Sequence, residues 1–331
     1  MKPPSSGGAD RRLRDRFGRA AGWLALAALA AWAAAGCSVK RLAVNQLGNA
    51  LAAGGTTFAS DDDPELVREA VPFSLKLMEA LLAESPSHLG LRLAAASGFT
   101  QYSYAFVQQQ AEELEDKDLE AATALRERAK RLYLRARAHG LRGLELRHAG
   151  LENGLRQNPK AAVRALQPRD VPLMYWTAAA WAAAIALAKD NPELVAQAPS
   201  VEALMDRALE LDEAFDRGAI HTFLITYEMS RKQASGDAAA RSRRHFARAV
   251  ELSGGQQAAP YVALAEAVCV QKQDRAEFES LLKRAAAIDV NAQPQWRLAN
   301  LVMQRRARWL LARVEDLILP PLPEEPKRPG N

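Results

Sequence analysis

Two cysteines and five histidines have the readiest nucleophilic or metal-ligating chemistry in this 331-residue chain, and their spacing offers little of either. His88, His139, His148, His221 and His245 include no pair four residues apart beside a glutamate, the spacing that sets two imidazoles on one helix face around zinc. His139 and His148 stand nine apart and are expected at exposed or turn positions. Gly90 and Gly98 flank no nucleophile elbow, and no glycine-rich loop is built to cradle phosphate. Ser97 and Gly98 read more simply as a close helix crossing. Cys269, between Val268 and Val270, reads as a small buried apolar residue. These patterns point to no enzyme, no cofactor and no metal.

Cys37 is different. It follows Ala34, Ala35 and Gly36, at the end of an apolar segment from Ala20 to Ala35, which itself follows Lys2, Arg11, Arg12, Arg14, Arg16 and Arg19. The apolar segment is shorter than the ~20 residues that span a bilayer and suits the central region of a secretory signal. Small residues running into cysteine resemble the lipobox of bacterial lipoproteins, which implies diacylation of the Cys37 thiol and removal of residues 1–36. Ser38 in the following place leans toward outer-membrane sorting. The other reading is an ordinary cleaved signal with an incidental cysteine. Without residues 1–36 the chain keeps 38 Lys and Arg against 37 Asp and Glu, so its basicity belongs to the signal and no nucleic-acid partner is called for.

The elements that would carry these residues are helices. From Asp63 onward apolar residues recur at spacings of three and four, Ala, Leu, Arg, Glu and Gln dominate, and alternating runs are scarce. Asp63–Pro64, Ser85–Pro86, Asn158–Pro159, Asn191–Pro192, Pro199–Ser200 and Gly254–Gly255 separate one helix from the next. The spacing predicts helices over Val39–Ala53, Pro64–Glu84, Ser87–Glu113, Leu119–His139, Leu141–Gln157, Val171–Lys189, Val201–Asp212, Phe215–Lys232, Ala238–Ser253, Pro260–Gln273, Ala276–Ile288 and Pro294–Leu317, with a loop over Gly54–Asp62. Segments ending near residues 212, 253 and 289 align on Ala208, Ala249 and Ala285, which lie 41 and 36 positions apart. That is close to the ~34-residue tetratricopeptide period with short insertions. The fold class expected is all-α, with tetratricopeptide-like helical hairpins in a curved or closed array. The division expected is a signal peptide (1–36), a lipid-anchored helix and loop (37–63), a repeat domain (64–319) and a disordered tail (320–331).

Four strings carry a further likeness: Tyr175, Trp176, Ala180, Trp181; Gly218 to His221 with Phe223 and Leu224; Arg244 to Leu252; and Leu298, Ala299, Asn300 with Ala307, Leu310 and Leu311. In order and spacing these are similar to the T component of tripartite ATP-independent periplasmic (TRAP) transporters. The resemblance implies a periplasmic lipoprotein that docks the ligand-binding P component, assembles as a homotrimer, and has a cavity through each protomer. Tyr175, Trp176, Trp181, His221 and Asn300 are then candidate cavity-lining residues. The residues alone leave other roles open: a hydrogen-bonded core histidine for His221, core packing for the aromatics, a cap on a neighbouring turn for Asn300. Gln101, Tyr102, Tyr104 and Gln108 to Gln110 read as exposed unless they line a channel, and Arg241, Arg243 and Arg244 as a solvated face. The remaining functional reading is a generic envelope scaffold lipoprotein with no small-molecule role.

Cys37→Ala should release the protein from membranes, since two or more acyl chains at about 0.8 kcal/mol per buried methylene would supply most of its membrane affinity. Mass spectrometry of the N-terminus is the check. An unacylated Cys37, or an N-terminus elsewhere, would remove the anchor.

Overall fold

A computed structural model describes residues 45–52, 55–231 and 235–319. The expected signal peptide, Cys37 and the tail at 320–331 lie outside the described residues. Within them the chain is helical and contains no strand. The principal helices are α1 (Pro64–Glu84), α2 (Leu89–Tyr102), α3 (Leu119–Glu145), α4 (Leu151–Gln157), α5 (Val171–Ala186), α6 (Ala198–Leu211), α7 (Ala219–Tyr227), α8 (Ala238–Ser253), α9 (Ala259–Leu264), α10 (Arg275–Ala286) and α11 (Arg297–Ala312).

Local chemistry accounts for the boundaries. The Asp63 carboxylate accepts from the backbone N–H groups of Glu65 and Leu66 at 3.0 Å, and Pro64 fills a first-turn position that lacks an intrahelical acceptor anyway. Asn158 and Asn191 cap the short turns that follow them in the same way, each beside a proline. Asp118, Asp237 and Asp274 cap α3, α8 and α10. Gly254, at φ +61°, ends α8 in the left-handed conformation that glycine adopts without strain. Along α1 the buried residues are Val67, Leu75, Met78, Leu81 and Leu82, a single stripe set by the helical period.

Several boundaries depart from the sequence reading. Gly140 does not separate two helices: α3 runs through it to Glu145, and the glycine serves packing, since a side chain there would collide with α5. A Cβ on Gly140 would lie 2.0 Å from Thr177 Oγ1, so glycine lets α3 and α5 cross closely. Gly98 acts similarly, its missing Cβ leaving room for Leu75 Cδ2 at 2.8 Å. The helix expected over Ser87–Glu113 passes through a π-helical turn, Ser103–Gln108, before ending in Gln109–Leu114. A second π turn, Ala265–Cys269, extends α9. Gly55–Ala59 is a short helix where a loop was expected. The closing helix is shorter than Pro294–Leu317, breaking at Arg313. Arg241 and Arg243 are not merely solvated, for they pair with Glu228 and Glu277.

Packing runs in chain order: α1 on α2, α2 on α3, α3 on α5, α5 on α6, α7 on α8 and α9, α9 on α10, and α10 on α11. The last helix then returns to the first elements, touching Gly55–Ala59 and α1. Two hydrophobic cores result. The larger gathers α1 to α6 with Ile220, Leu224 and Val302, while the smaller joins α8 to α11 with Ile225, Met303 and Ala307. Helices α7 and α11 each contribute to both cores and so weld them together. Ala208, Ala249 and Ala285 are all buried, and the backbone of Ala249 lies 3.2 Å from where a Gly218 Cβ would be.

Gly140→Ala should destabilise the fold by about 1–3 kcal/mol through overpacking, although alanine is the better helix former by ~1 kcal/mol. Combining it with Thr177→Ala should recover most of that loss. Denaturant melts of the single and double variants decide the matter, and a neutral or stabilising single variant would show that the crossing is loose.

Candidate functional site

The helices border a partly open cavity of about 2420 Å³, well beyond the ~300–1,000 Å³ of an ordinary small-molecule site. It exists because α5 turns small side chains toward it. Tyr175, Ala179, Ala182, Ala183 and Ala186 fall on one face of the helix and line the space, whereas Thr177, Ala178, Trp181 and Ala184 on the other side are buried in the wall. Leucines at the inner positions would fill part of the void. Apolar side chains of α1 and α2, including Val67, Val71, Leu75 and Leu93, extend the lining.

The five candidate residues divide. Tyr175, Trp176 and Asn300 line the cavity. Asn300 also holds a neighbouring loop: Oδ1 accepts from Ala258 N–H and Nδ2 donates to the Gln256 carbonyl, both at 2.9 Å. Trp181 is 2 % exposed within the wall, donates from Nε1 to Gln197 Oε1 at 3.0 Å and carries the Arg137 guanidinium 4.1 Å above its ring. His221 is buried as well. Its Nδ1 lies 2.8 Å from His245 Nδ1, and its Nε2 lies 3.3 Å from Glu213, which is clamped by Arg248. Burial lowers the pKa of both imidazoles, and the mutual proximity helps push His245 down to about 4, so the pair is neutral near pH 7. Of the other two histidines of interest, His148 stands in the turn after α3, as expected, and His139 lies within α3; both are half-buried. His139 reaches Glu79 at 3.2 Å, and His148 reaches the buried Asp170 at 2.8 Å.

Cavity residues that the sequence reading left exposed, or passed over, supply its polar features. Tyr104 and Gln108 lie in the first π turn, a local widening of the helix that re-aims side chains, and both line the cavity. Gln108 Oε1 accepts from Tyr133 O–H at 2.8 Å. Glu266, in the second π turn, meets Arg306 of α11 at 2.5 Å, and the same Arg306 nitrogen meets Glu112 at 2.5 Å. Burial raises the Glu266 carboxyl above its ordinary range, an effect Arg306 only partly offsets. The third feature is Asp216, an exposed residue that borders the cavity. Its sequence context, Phe215-Asp216-Arg217-Gly218, was legible only as a break before α7. The left-handed backbone at Asp216 has no sequence signature beyond the nearby Gly218.

Among the described residues no three His, Cys, Asp or Glu side chains gather as a metal site, and no helix is long and apolar enough to cross a membrane. The arrangement is that of a container: an apolar volume with a few fixed polar groups.

The family model for the TRAP transporter T-component matches residues 60–318, nearly the whole helical body. That family comprises transporter accessory components and is not a family of enzymes. A protein of Treponema pallidum (strain Nichols), described as uncharacterized, is 30 % identical over 303 residues, covering 86 % of this chain and 94 % of its own length.

Arg306→Met should strand Glu266 and Glu112 beside one another and cost about 3 kcal/mol at neutral pH. The loss should shrink on acidification. A carboxyl with a raised folded-state pKa binds its proton more readily folded than unfolded, so stability falls as pH rises through that value and returns below it. Melting temperatures of the variant across pH 5 to 8 are the readout, and a pH-independent loss would show that Arg306 acts by packing alone.

Proposed function

Because the chain belongs to the T-component family of TRAP transporters, we propose that it is a periplasmic accessory lipoprotein that docks the ligand-binding P component and holds or passes a small ligand through its internal cavity. The observation that carries this reading is the cavity itself. A space of about 2420 Å³ walled by alanines and aromatics, within a fold whose helices otherwise cross closely enough to require glycine, is a maintained compartment and not loose packing. A scaffold with no small-molecule role would have no use for it.

The finer parts of the proposal rest on particular residues. The lipid anchor at Cys37, with outer-membrane sorting through Ser38, rests on the N-terminal pattern. The tetratricopeptide-like character is supported by burial of Ala208, Ala249 and Ala285 at equivalent places in three helices. A homotrimer follows from the resemblance alone. Tyr175, Trp176 and Asn300 are the candidates for touching a ligand, and Trp181 and His221 act on the cavity through the wall that they stiffen.

The protein should co-purify with a tagged P component encoded beside it, whether or not Cys37 is acylated. Ala179→Leu with Ala183→Leu should narrow the cavity and reduce ligand retention several-fold while docking persists. Trp181→Ala should chiefly lower the melting temperature, at a cost of about 3–5 kcal/mol. No association with any binding protein would shift the reading to the envelope scaffold.

A further inference from the structure

The face of α1 turned away from the cavity borders a second, shallow recess of about 470 Å³, which α2 and α3 complete with Arg92, Arg135 and His139. Glu79 is the one acid bordering it among the described residues, and Lys76 at 2.9 Å, His139 at 3.2 Å and Arg135 all meet that carboxylate. Arg92 holds the Pro86 carbonyl from Nε and Nη2, at 3.2 and 3.0 Å, and donates from Nη1 to His139 Nδ1 at 3.2 Å. An imidazole nitrogen that accepts from arginine carries no proton, so His139 is neutral and the other cations outnumber Glu79. Arg131 and Arg142 add to the excess. They share the exposed face of α3 with Arg135, at four residues before it and seven after, and neither pairs with an acid among the described residues.

An exposed ring stands beside this positive recess. Phe73 is 73 % exposed, three residues before Lys76 and seven before Ala80, so the three lie along one stripe of α1. Leu66, also exposed, continues the stripe toward the N-terminus, with the acid Glu69 between. The basic part of the stripe therefore begins at Phe73 and runs to the C-terminal end of α1. That end is where the preceding chain is held, for Ser85 Oγ donates to Asn45 Oδ1 at 2.8 Å. Cys37 precedes Asn45 by eight residues, which reach at most ~29 Å when fully extended. Phe73 lies twelve residues before Ser85, ~18 Å along the helix. A lipid on Cys37 thus brings a bilayer within reach of both the recess and the ring.

We propose that the face bearing Phe73, Lys76, Arg92, Arg135 and Arg142 rests on an anionic phospholipid bilayer, with a headgroup phosphate in the recess and Phe73 in the interfacial layer. The inference rests on the anchor reading at Cys37 and adds how the body is turned on the membrane. Guanidinium and ammonium groups suit phosphate oxygens, and basic residues beside an aromatic ring match the polar and apolar halves of the bilayer surface.

A polarity-sensitive dye reads the contact directly. Phe73→Cys, labelled with nitrobenzoxadiazole, is placed in the acylated protein on vesicles of equal parts phosphatidylglycerol and phosphatidylcholine; Cys269 is buried and does not take the dye. Emission should shift to the blue and iodide quenching should fall several-fold relative to the detergent-solubilised protein. The same dye at Glu251→Cys, on α8, should stay open to iodide. Lys76→Glu with Arg142→Glu should restore quenching at position 73, and vesicles of phosphatidylcholine alone should do so without any charge substitution, which keeps the comparison if the double variant melts early. Equal quenching at positions 73 and 251 overturns the proposal. So does shielding that persists through both charge tests, or shielding that appears only when a P component is added, since the face would then be a protein surface. Those outcomes leave the anchor standing, whereas failure of the unsubstituted protein to associate with either vesicle sinks the anchor reading together with this one.

Discussion

Closure of the ring by α11 is the constraint on which the rest of the structure depends. Helices stacked in chain order bury their apolar stripes against neighbours, but the first and last would each leave one face uncovered. Here the last helix covers the first. Arg297 donates to the Ser60 carbonyl, Arg305 to the Ala105 carbonyl, and Arg306 joins Glu112, in the helical turn after the first π segment, to Glu266 of the second. Tyr104 O–H points at Met303 Sδ across the same seam. A charge network this buried contributes modestly as net stability but strongly as geometry, since each partner left alone would be a desolvated ion. It therefore fixes where α11 sits, and with it the size of the space inside.

Small residues act in two opposite ways in that enclosure. On the wall, Gly98 and Gly140 remove side chains so that helices can touch. Toward the interior, Ala179, Ala182, Ala183 and Ala186 remove side chains so that nothing touches. One composition thus produces a tight shell and an empty centre, depending only on which face of the helix the residue occupies. The two π turns add to this, one on each side of the Arg306 junction, by changing the helical phase and turning Tyr104, Gln108 and Glu266 to the inside.

Most of the helices were legible because their signals are local. Asp63–Pro64, Asn158–Pro159 and Asn191–Pro192 mark caps by side-chain chemistry that works within three residues. Gly140 misled because its role is set by Thr177, 37 positions away, and the unbroken apolar period of α3 was the better guide. The sequence grouped Tyr175, Trp176 and Trp181 as one lining, whereas Tyr175 and Trp176 border the cavity and Trp181 is buried in the wall. His221 and His245, the pairing of Arg241 and Arg243, and the left-handed turn at Asp216 depend on partners brought from other helices or on a backbone twist. A single sequence carries no mark of either.

An array of helices open at both ends can fray, because each end unit has one neighbour and loosens first. A ring has no such end. Contacts such as Arg305 to Ala105 join residues 200 positions apart, and the chain entropy of that loop is lost only when everything between is already in place. Synthesis delivers α11 after all the helices that it must clasp, so the enclosed space comes into being at the final step of folding. Before that step the inner face is an open trough, and after it, opening the space in one place means loosening the two cores that share the clasp.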